Sequence, residues 1–110
     1  MHDEIRGPIF TIFRSRLRDD AAENGYEELA ARMETRARSM PGFAGFKTFS
    51  ASDGEHVSII EFDTLEHHNA WRDDHEHRVA QARGRESFYA EYSIAICEQL
   101  HNRNFRGPKQ

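Results

Sequence analysis

The chain of 110 residues has one cysteine, little lysine and no long hydrophobic run. A single cysteine, Cys97, excludes an internal disulfide, and we expect this small residue to be buried. A net charge of −4, with lysine scarce beside arginine, is not the basic footprint of a nucleic-acid-binding protein. No apolar run approaches the roughly 18 residues of a membrane span. The first ten residues are acidic and lack the apolar core of a signal peptide, so we predict a cytoplasmic protein.

Common cofactor and nucleophile motifs are also missing. The sequence contains no G-x-G-x-x-G, no P-loop and no G-x-S-x-G, so nucleotide cofactors and serine chemistry have no support. Hydrophobic residues make up only 37% of the chain and charged residues 31%. A chain of this length can build one modest core. Because it is so polar, we expect it to bury further apolar surface against a partner subunit.

Hydrophobic patterning predicts the element order β-α-β-β-α-β. Strands are predicted over residues 9–17, 43–52, 56–63 and 88–100. The Asp53-Gly54-Glu55 segment predicts a hairpin turn between the middle two strands. A first helix is predicted to be capped by Asp19 or Asp20, and it carries an apolar stripe of Tyr26, Leu29, Ala30, Met33, Ala37 and Met40. The helical region 64–87 is predicted to break at Asp73–Asp74.

This order is typical of a ferredoxin-like α+β domain, with a four-stranded antiparallel sheet and both helices on one face. We expect the domain to span residues 8–100 and a polar tail to follow over 101–110. The other face of the sheet, to which we assign Phe10, Ile12 and Phe46, needs a cover. The same sheet of a second chain would cover it and give a symmetric homodimer.

Four of the seven histidines lie between residues 67 and 77, which raises the question of a metal site. His75 and His77 are two residues apart, so on a helix they do not share a face. The expected break at Asp73–Asp74 separates both from His67 and His68. No cysteine lies nearby, and we predict no metal site.

His77 is instead the candidate acid/base group. Histidine titrates near neutral pH and could take a proton from a phenol or an enol. Ala80, Gln81 and Gly84 share its helical face. The small residues on that face suit the close approach of a sheet or a ligand. The alternative is that His77 only makes a hydrogen bond at the start of a helix.

Two further residues have both a functional and a structural interpretation. Trp71, the only tryptophan, is either a core residue or an aromatic wall that stacks on a flat substrate. Arg14 could bind a substrate carboxylate or an oxyanion. Alternatively, it and Arg16 form ion pairs with Glu61 or Glu91 at a dimer interface.

The segment GYEELAARMETRARSMPGFAGFKTFSASDGEHVSIIEFDTLEHHNAWR resembles the antibiotic biosynthesis monooxygenase family, whose members are dimeric α/β-barrel proteins. The progression helix, MPGF.GF strand, DG turn, strand, helix and tryptophan carries the resemblance. GRESFYAEYSIAIC is similar to the closing strand of short members, so the resemblance covers roughly residues 8–100. It implies a pocket between sheet and helices in each subunit. In the cofactor-independent branch this pocket holds a phenolic polycyclic substrate that reacts with oxygen after deprotonation.

The haem-degrading branch of the same superfamily combines a strand-one asparagine, a helix tryptophan and an axial histidine ten residues later. Trp71 matches the tryptophan, but Gln81 stands at the position of the histidine and Phe13 lies near that of the asparagine. Glutamine is a poor iron ligand beside imidazole. We therefore predict no haem-degrading activity of that kind and no cofactor.

Together with these residues, the resemblance implies a cofactor-independent monooxygenase, or a related small enzyme of proton-transfer chemistry, that acts on a flat aromatic or enolisable substrate. His77 would be the base, Trp71 and Phe13 the wall, and Gln81 or Arg14 the oxyanion partner. One alternative is a non-catalytic dimer that binds haem or another small hydrophobic molecule. Another is a structural dimer without a reaction.

Overall fold

The computed structural model describes residues 7–109. The elements in this part of the chain are β1 (Ile9–Leu17), α1 (Tyr26–Ser39), β2 (Phe43–Ser50), β3 (His56–Phe62), α2 (Leu65–Arg72), α3 (His75–Ser87) and β4 (Tyr89–Glu98). They form a ferredoxin-like α+β domain, as the sequence predicts. Residues 1–6, which belong to the segment used for the signal-peptide prediction, and Gln110 of the expected tail lie outside the described residues.

The four strands form one antiparallel sheet in the order β2-β3-β1-β4. Strand β1 lies in the interior, because it pairs with β3 on one side and with β4 on the other. The β2–β3 hairpin turns at Gly54, whose φ of 93° lies in the left-handed region that glycine adopts without a steric penalty. The predicted hairpin is therefore confirmed.

The core lies between the sheet and the helices. Its buried cluster comprises Ala37, Ile60, Phe62 and Trp71, and the rings of Phe62 and Trp71 stack with centroids 5.3 Å apart. Phe46 packs against this cluster, so its assignment to the opposite face with Phe10 and Ile12 was wrong. The reason is a register shift between Phe43 and Gly45, which reverses the alternation of β2 and turns Phe46 toward the helices.

Helix α1 begins at Tyr26, several residues after the caps predicted at Asp19 or Asp20. Its N-cap is Gly25, which has no side chain to cap the helix. The Arg18 guanidinium donates to both carboxylate oxygens of Asp20, at 2.9 and 2.7 Å, and residues 19–25 form turns instead of helix. The prediction of a cap at Asp19 or Asp20 was therefore wrong.

The second helical region breaks where the sequence predicts. Helix α2 begins after Thr64, whose side chain accepts a hydrogen bond from the backbone N–H of His67, and it ends at Arg72. Helix α3 begins after Asp74, whose carboxylate accepts from the backbone N–H of His77. Each helix thus has its own side-chain cap, which satisfies an otherwise unpaired N–H group.

The sheet face opposite the helices is open to solvent in the chain as described. Phe10, Ile12 and Ile59 are half-buried there and Phe49 is exposed. Cys97 is also exposed, so the expectation of a buried thiol was wrong: it stands on the uncovered face of β4, which has a neighbouring strand on one side only.

Residues 99–109 form neither helix nor strand, and the side chains of Leu100 and Phe105 are exposed. The proposed domain boundary at residue 100 stays a prediction. No helix within residues 7–109 is long and apolar enough to cross a membrane.

Candidate functional site

A cavity of about 570 Å³ lies between the sheet and the helices. This volume is within the usual range for a site that binds a small molecule. Strand β1 contributes Thr11, Phe13 and Ser15 to its wall, because alternate residues of a strand face the same side. On β4, Ile94 and Ile96 line the cavity but remain exposed, so the cavity opens to solvent along this edge strand.

Trp71 and His77 form one wall of the cavity. Their rings stack with centroids 4.3 Å apart and planes 19° from parallel. The break between α2 and α3 makes this contact possible, because Trp71 stands in the last turn of α2 and His77 in the first turn of α3. Trp71 is only 6% exposed and also belongs to the core cluster. Trp71 is therefore a core residue that also lines the cavity, and its stacking on a flat substrate stays a prediction.

The surroundings of His77 favour a neutral imidazole with one defined tautomer. Burial lowers the pKa of His77 below its ordinary value, because desolvation disfavours the charged ring. Its Nδ1 lies 3.4 Å from the carbonyl oxygen of Arg72, which can only accept a hydrogen bond. A proton on Nδ1 satisfies this contact and leaves Nε2 with a free lone pair. His77 can thus accept a proton at neutral pH.

Phe13 and Gln81 also line the cavity, together with Trp71 and His77. The Phe13 ring contacts the rings of Tyr89 and Tyr92, with centroids 5.3 and 5.5 Å away. No hydrogen bond within residues 7–109 uses the Gln81 side chain, so its amide is available to a ligand. Four of the five predicted site residues are therefore brought together.

Arg14 is not brought to the cavity. It follows Phe13 on β1 and points to the opposite face, where its guanidinium donates to both carboxylate oxygens of Glu55 at 3.0 Å. The prediction that Arg14 is an oxyanion partner in the cavity was therefore wrong. The neighbouring Arg16 pairs with Asp53 and Glu91 of the same chain, at 2.8 and 3.3 Å.

The face of α3 that continues from His77 is built from small residues, as expected. Ala80 and Gly84 are buried, and Ala80 lines the cavity. A Cβ atom at Gly84 would lie 2.5 Å from the ring of Tyr89, which is too close for any carbon–carbon contact. Gly84 therefore lets the Tyr89 ring pack directly on the helix and form part of the cavity wall.

Two phenols of the cavity, Tyr26 and Tyr89, are hydrogen-bonding groups and not bases. Burial raises the pKa of both Tyr26 and Tyr89, because a phenolate would lose its hydration there. Both groups stay protonated at neutral pH and line the cavity beside Phe88. They can donate to a ligand oxygen but cannot deprotonate a ligand.

A buried histidine that the sequence interpretation did not select also lines the cavity. His68 is 1% exposed, its Nε2 lies 2.9 Å from Thr11 Oγ1, and its Nδ1 lies 3.1 Å from Asn69 Oδ1. Its position three residues before Trp71 places both on one side of α2, and this spacing is the signal that could have identified it. The partner Thr11 is 57 residues away in sequence and only the fold reveals it.

The four histidines between residues 67 and 77 do not converge on one point. His67 pairs with Asp63 at 2.7 Å on the surface, and His75 is exposed. Within the part of the chain that the structure describes, no group of three or more histidine, cysteine or acidic side chains could hold a metal ion.

Comparisons with known proteins agree with this fold. The family model for antibiotic biosynthesis monooxygenases matches residues 8–83. The uncharacterized protein YqjZ of Bacillus subtilis (strain 168) is 28% identical over 99 residues, which cover 90% of this chain and 86% of that protein. Among solved structures, Rv0793 from Mycobacterium tuberculosis superposes with a TM-score of 0.77 at 19% identity, covering 89% of this chain and all of that one. SnoaB, a cofactor-independent oxygenase from Streptomyces nogalater, superposes with a TM-score of 0.73 at 13% identity. The superposition covers 86% of this chain and 95% of the SnoaB chain.

Proposed function

The chain belongs to the antibiotic biosynthesis monooxygenase family, and from this premise we propose that its cavity is the active site of a cofactor-independent oxygenase. The substrate class is a flat aromatic molecule with an acidic C–H or O–H group. The observation that carries the proposal is the stacked pair of Trp71 and a neutral His77 on the cavity wall. SnoaB, which has the same fold, is an oxygenase of this type, and its activity supports the same reaction class here.

The proposed reaction begins when His77 Nε2 removes a proton from an activated CH₂ or its enol. The resulting carbanion reduces O₂, and a new C–O bond forms. The peroxide takes a proton from His77 and loses water as its O–O bond breaks and the second C–H proton leaves. A CH₂ group becomes a carbonyl group, one oxygen atom enters the product and the other enters water. The substrate supplies all the electrons, so the reaction needs no cofactor.

The remaining cavity residues bind and orient the substrate in this proposal. Trp71 and Phe13 offer aromatic surfaces for a flat ring system. The Gln81 amide and the protonated Tyr89 can donate to the oxygen on which negative charge develops. Because the cavity wall is largely aromatic and aliphatic, it favours a neutral hydrophobic substrate over a highly charged one.

We further propose that two copies of the chain pair through their open sheet faces, as the family resemblance implies. This face has an apolar centre of half-buried Phe10, Ile12 and Ile59 and exposed Phe49, and no helix within residues 7–109 covers it. The half-buried Glu61 has no ion pair or hydrogen bond within residues 7–109, and a second subunit could supply one. Pairing of the two identical faces around a twofold axis would cover the apolar centre and could also supply a partner for Glu61.

The experiment that tests the proposed reaction uses dithranol, a flat phenolic tricycle with an enolisable CH₂ group. The expected result is protein-dependent O₂ consumption, equimolar with the carbonyl product and unaffected by a metal chelator. Dithranol also oxidises slowly in buffer, so the rate without protein is subtracted. Binding of dithranol without turnover would favour the second candidate function, a hydrophobic-ligand-binding protein. Absence of binding would contradict both.

A further inference from the structure

Three side chains form a hydrogen-bonded chain that runs from α2 to the cavity. Asn69 Oδ1 lies 3.1 Å from His68 Nδ1, and His68 Nε2 lies 2.9 Å from Thr11 Oγ1. His68 is 1% exposed and Thr11 is 5% exposed, and both line the cavity. In a neutral imidazole one ring nitrogen is a donor and the other an acceptor, so the role of one nitrogen fixes that of the other.

The Asn69 contact sets the direction of this chain. An amide oxygen only accepts, so His68 Nδ1 carries the proton and Nε2 is the acceptor. The hydroxyl of Thr11 must then donate to Nε2. With its single proton committed, Thr11 Oγ1 has only lone pairs left for any molecule in the cavity. The O–H···N bond also polarises this oxygen and makes it a better acceptor.

The surroundings of His68 keep this arrangement rigid. The His68 ring makes edge contacts with Phe62 and Trp71, with centroids 6.3 and 6.0 Å away. Within residues 7–109, the His68 ring nitrogens make no hydrogen bonds other than those to Thr11 and Asn69. Thr11 is fixed in the interior strand β1, where it pairs with Ile60 and Ile96. The acceptor therefore sits on an ordered wall, within the same cavity as His77 but on a separate hydrogen-bonding network.

We propose that Thr11 Oγ1, oriented by His68 and Asn69, is a subsite that binds the hydroxyl group of a phenolic ligand. The ligand O–H donates to Thr11 while the ring lies against the aromatic wall. This subsite distinguishes a phenol from its methyl ether, because an ether oxygen has no proton to donate. Thr11 contacts the ligand, and His68 is a positioning residue. The proposal rests on the proposed function in one respect, since it requires the cavity to take flat aromatic molecules.

The test compares β-naphthol with its methyl ether by equilibrium dialysis against the full-length protein. The wild-type protein is expected to prefer the naphthol. Thr11→Val replaces the hydroxyl by a methyl group of similar shape and should weaken naphthol binding by about five-fold, the equivalent of one hydrogen bond. Binding of the ether should change by less than about two-fold, because the ether has no proton to donate to Thr11. Thr11→Ser should restore the preference, because it restores the hydroxyl.

His68→Phe tests the positioning role. Without its acceptor, the Thr11 hydroxyl is free to donate into the cavity, so binding of the ether should strengthen and the preference should vanish. In the Thr11→Val background the same change should leave the ratio of the two affinities unaltered, a coupling that a merely structural role does not produce. If His68→Phe fails to fold, the Val and Ser variants at Thr11 still decide the matter.

The outcomes separate this proposal from the proposed function. If the wild-type protein binds both ligands and Thr11→Val changes neither affinity, or weakens both equally, the phenol subsite is wrong and the cavity assignment stands. If the wild-type protein binds neither ligand, the cavity does not take flat aromatic molecules and both proposals fall. A naphthol preference that Thr11→Val abolishes and Thr11→Ser restores supports the subsite.

Discussion

The imidazole of His77 lies parallel to the indole of Trp71, with ring centroids 4.3 Å apart, across the break between two helices. This contact places a titratable group beside an aromatic surface on the wall of one cavity. Burial keeps the pKa of His77 low and the ring neutral, which a general base requires. The same burial makes the stability of the protein depend on pH.

Stability should fall as the medium becomes mildly acidic, and His77 should be a cause. In the unfolded chain histidine takes up a proton near pH 6.5, whereas burial lowers the pKa of His77 in the folded chain, as noted above. Below about pH 6.5 the unfolded state therefore binds more protons, and the free energy of unfolding decreases. His77→Gln should reduce this decrease between about pH 7 and pH 5.5, as measured by urea unfolding.

The control for this measurement is His75→Gln, which changes an exposed histidine two residues away on the same helix. It should leave the pH dependence as in the wild-type protein. The carboxylates with lowered pKa, such as Asp74 beside Arg36, act at lower pH and do not interfere in this window. Equal pH dependence in wild type and His77→Gln would contradict a buried, neutral His77.

Asp74 holds the start of α3, and its removal should destabilise the fold. Its carboxylate accepts from the His77 backbone N–H and from Arg36 of α1, at 3.2 and 2.6 Å. Asp74→Ala removes both contacts and should cost about 1–2 kcal/mol, most of it from the lost cap. The ion pair contributes less, because the Arg36 side chain is 40% exposed.

Asp74→Asn is the matched variant, because its amide oxygen can still cap the helix. It should cost less than about 1 kcal/mol in the same urea titration. If Asn and Ala at this position were equally destabilising, the ion pair and not the cap would dominate, and the account of how α3 begins would be wrong.

The open sheet face should mediate dimer formation. Ile12 stands at its centre, where it pairs with Ile59 of β3 and Ala95 of β4. Ile12→Glu would place a charge in the proposed interface and should give a monomer in light scattering, whereas the wild-type protein should have the mass of a dimer. Val79→Glu makes the same change at an exposed position of α3 and should leave the dimer intact. A wild-type monomer at micromolar concentration would contradict the proposed assembly.

Local patterns in the sequence predict the strands and helices well. They predict less well on which face of the sheet a side chain lies. The strands, the hairpin at Gly54 and the break at Asp73–Asp74 follow from alternation, turn residues and caps, which act over a few residues. Phe46 was assigned to the wrong face because one bulge in β2 reverses the alternation. Such a bulge depends on pairing with β3 and leaves no clear local signal.

In the candidate site, too, local spacing predicts some of the residues, whereas others are revealed only by the fold. Helical spacing correctly groups His77 with Ala80 and Gln81 at the cavity, and the resemblance points to Trp71. The hydrogen bond between Thr11 and His68 joins a strand and a helix 57 residues apart, so no periodicity predicts it. For Arg14, in contrast, a local pattern was sufficient. Its charge suggested that it binds a ligand, but it follows Phe13 on β1, and alternation along the strand places its side chain on the face away from the cavity.

The role of His77 as the base is tested by O₂ consumption with dithranol at about pH 7, compared between wild type, His77→Gln and His75→Gln. We expect protein-dependent turnover that His77→Gln lowers at least about 100-fold, the usual loss when a general base is removed. His75→Gln should keep the wild-type rate, because its side chain is exposed outside the cavity. Turnover by His77→Gln within about two-fold of wild type would contradict His77 as the base.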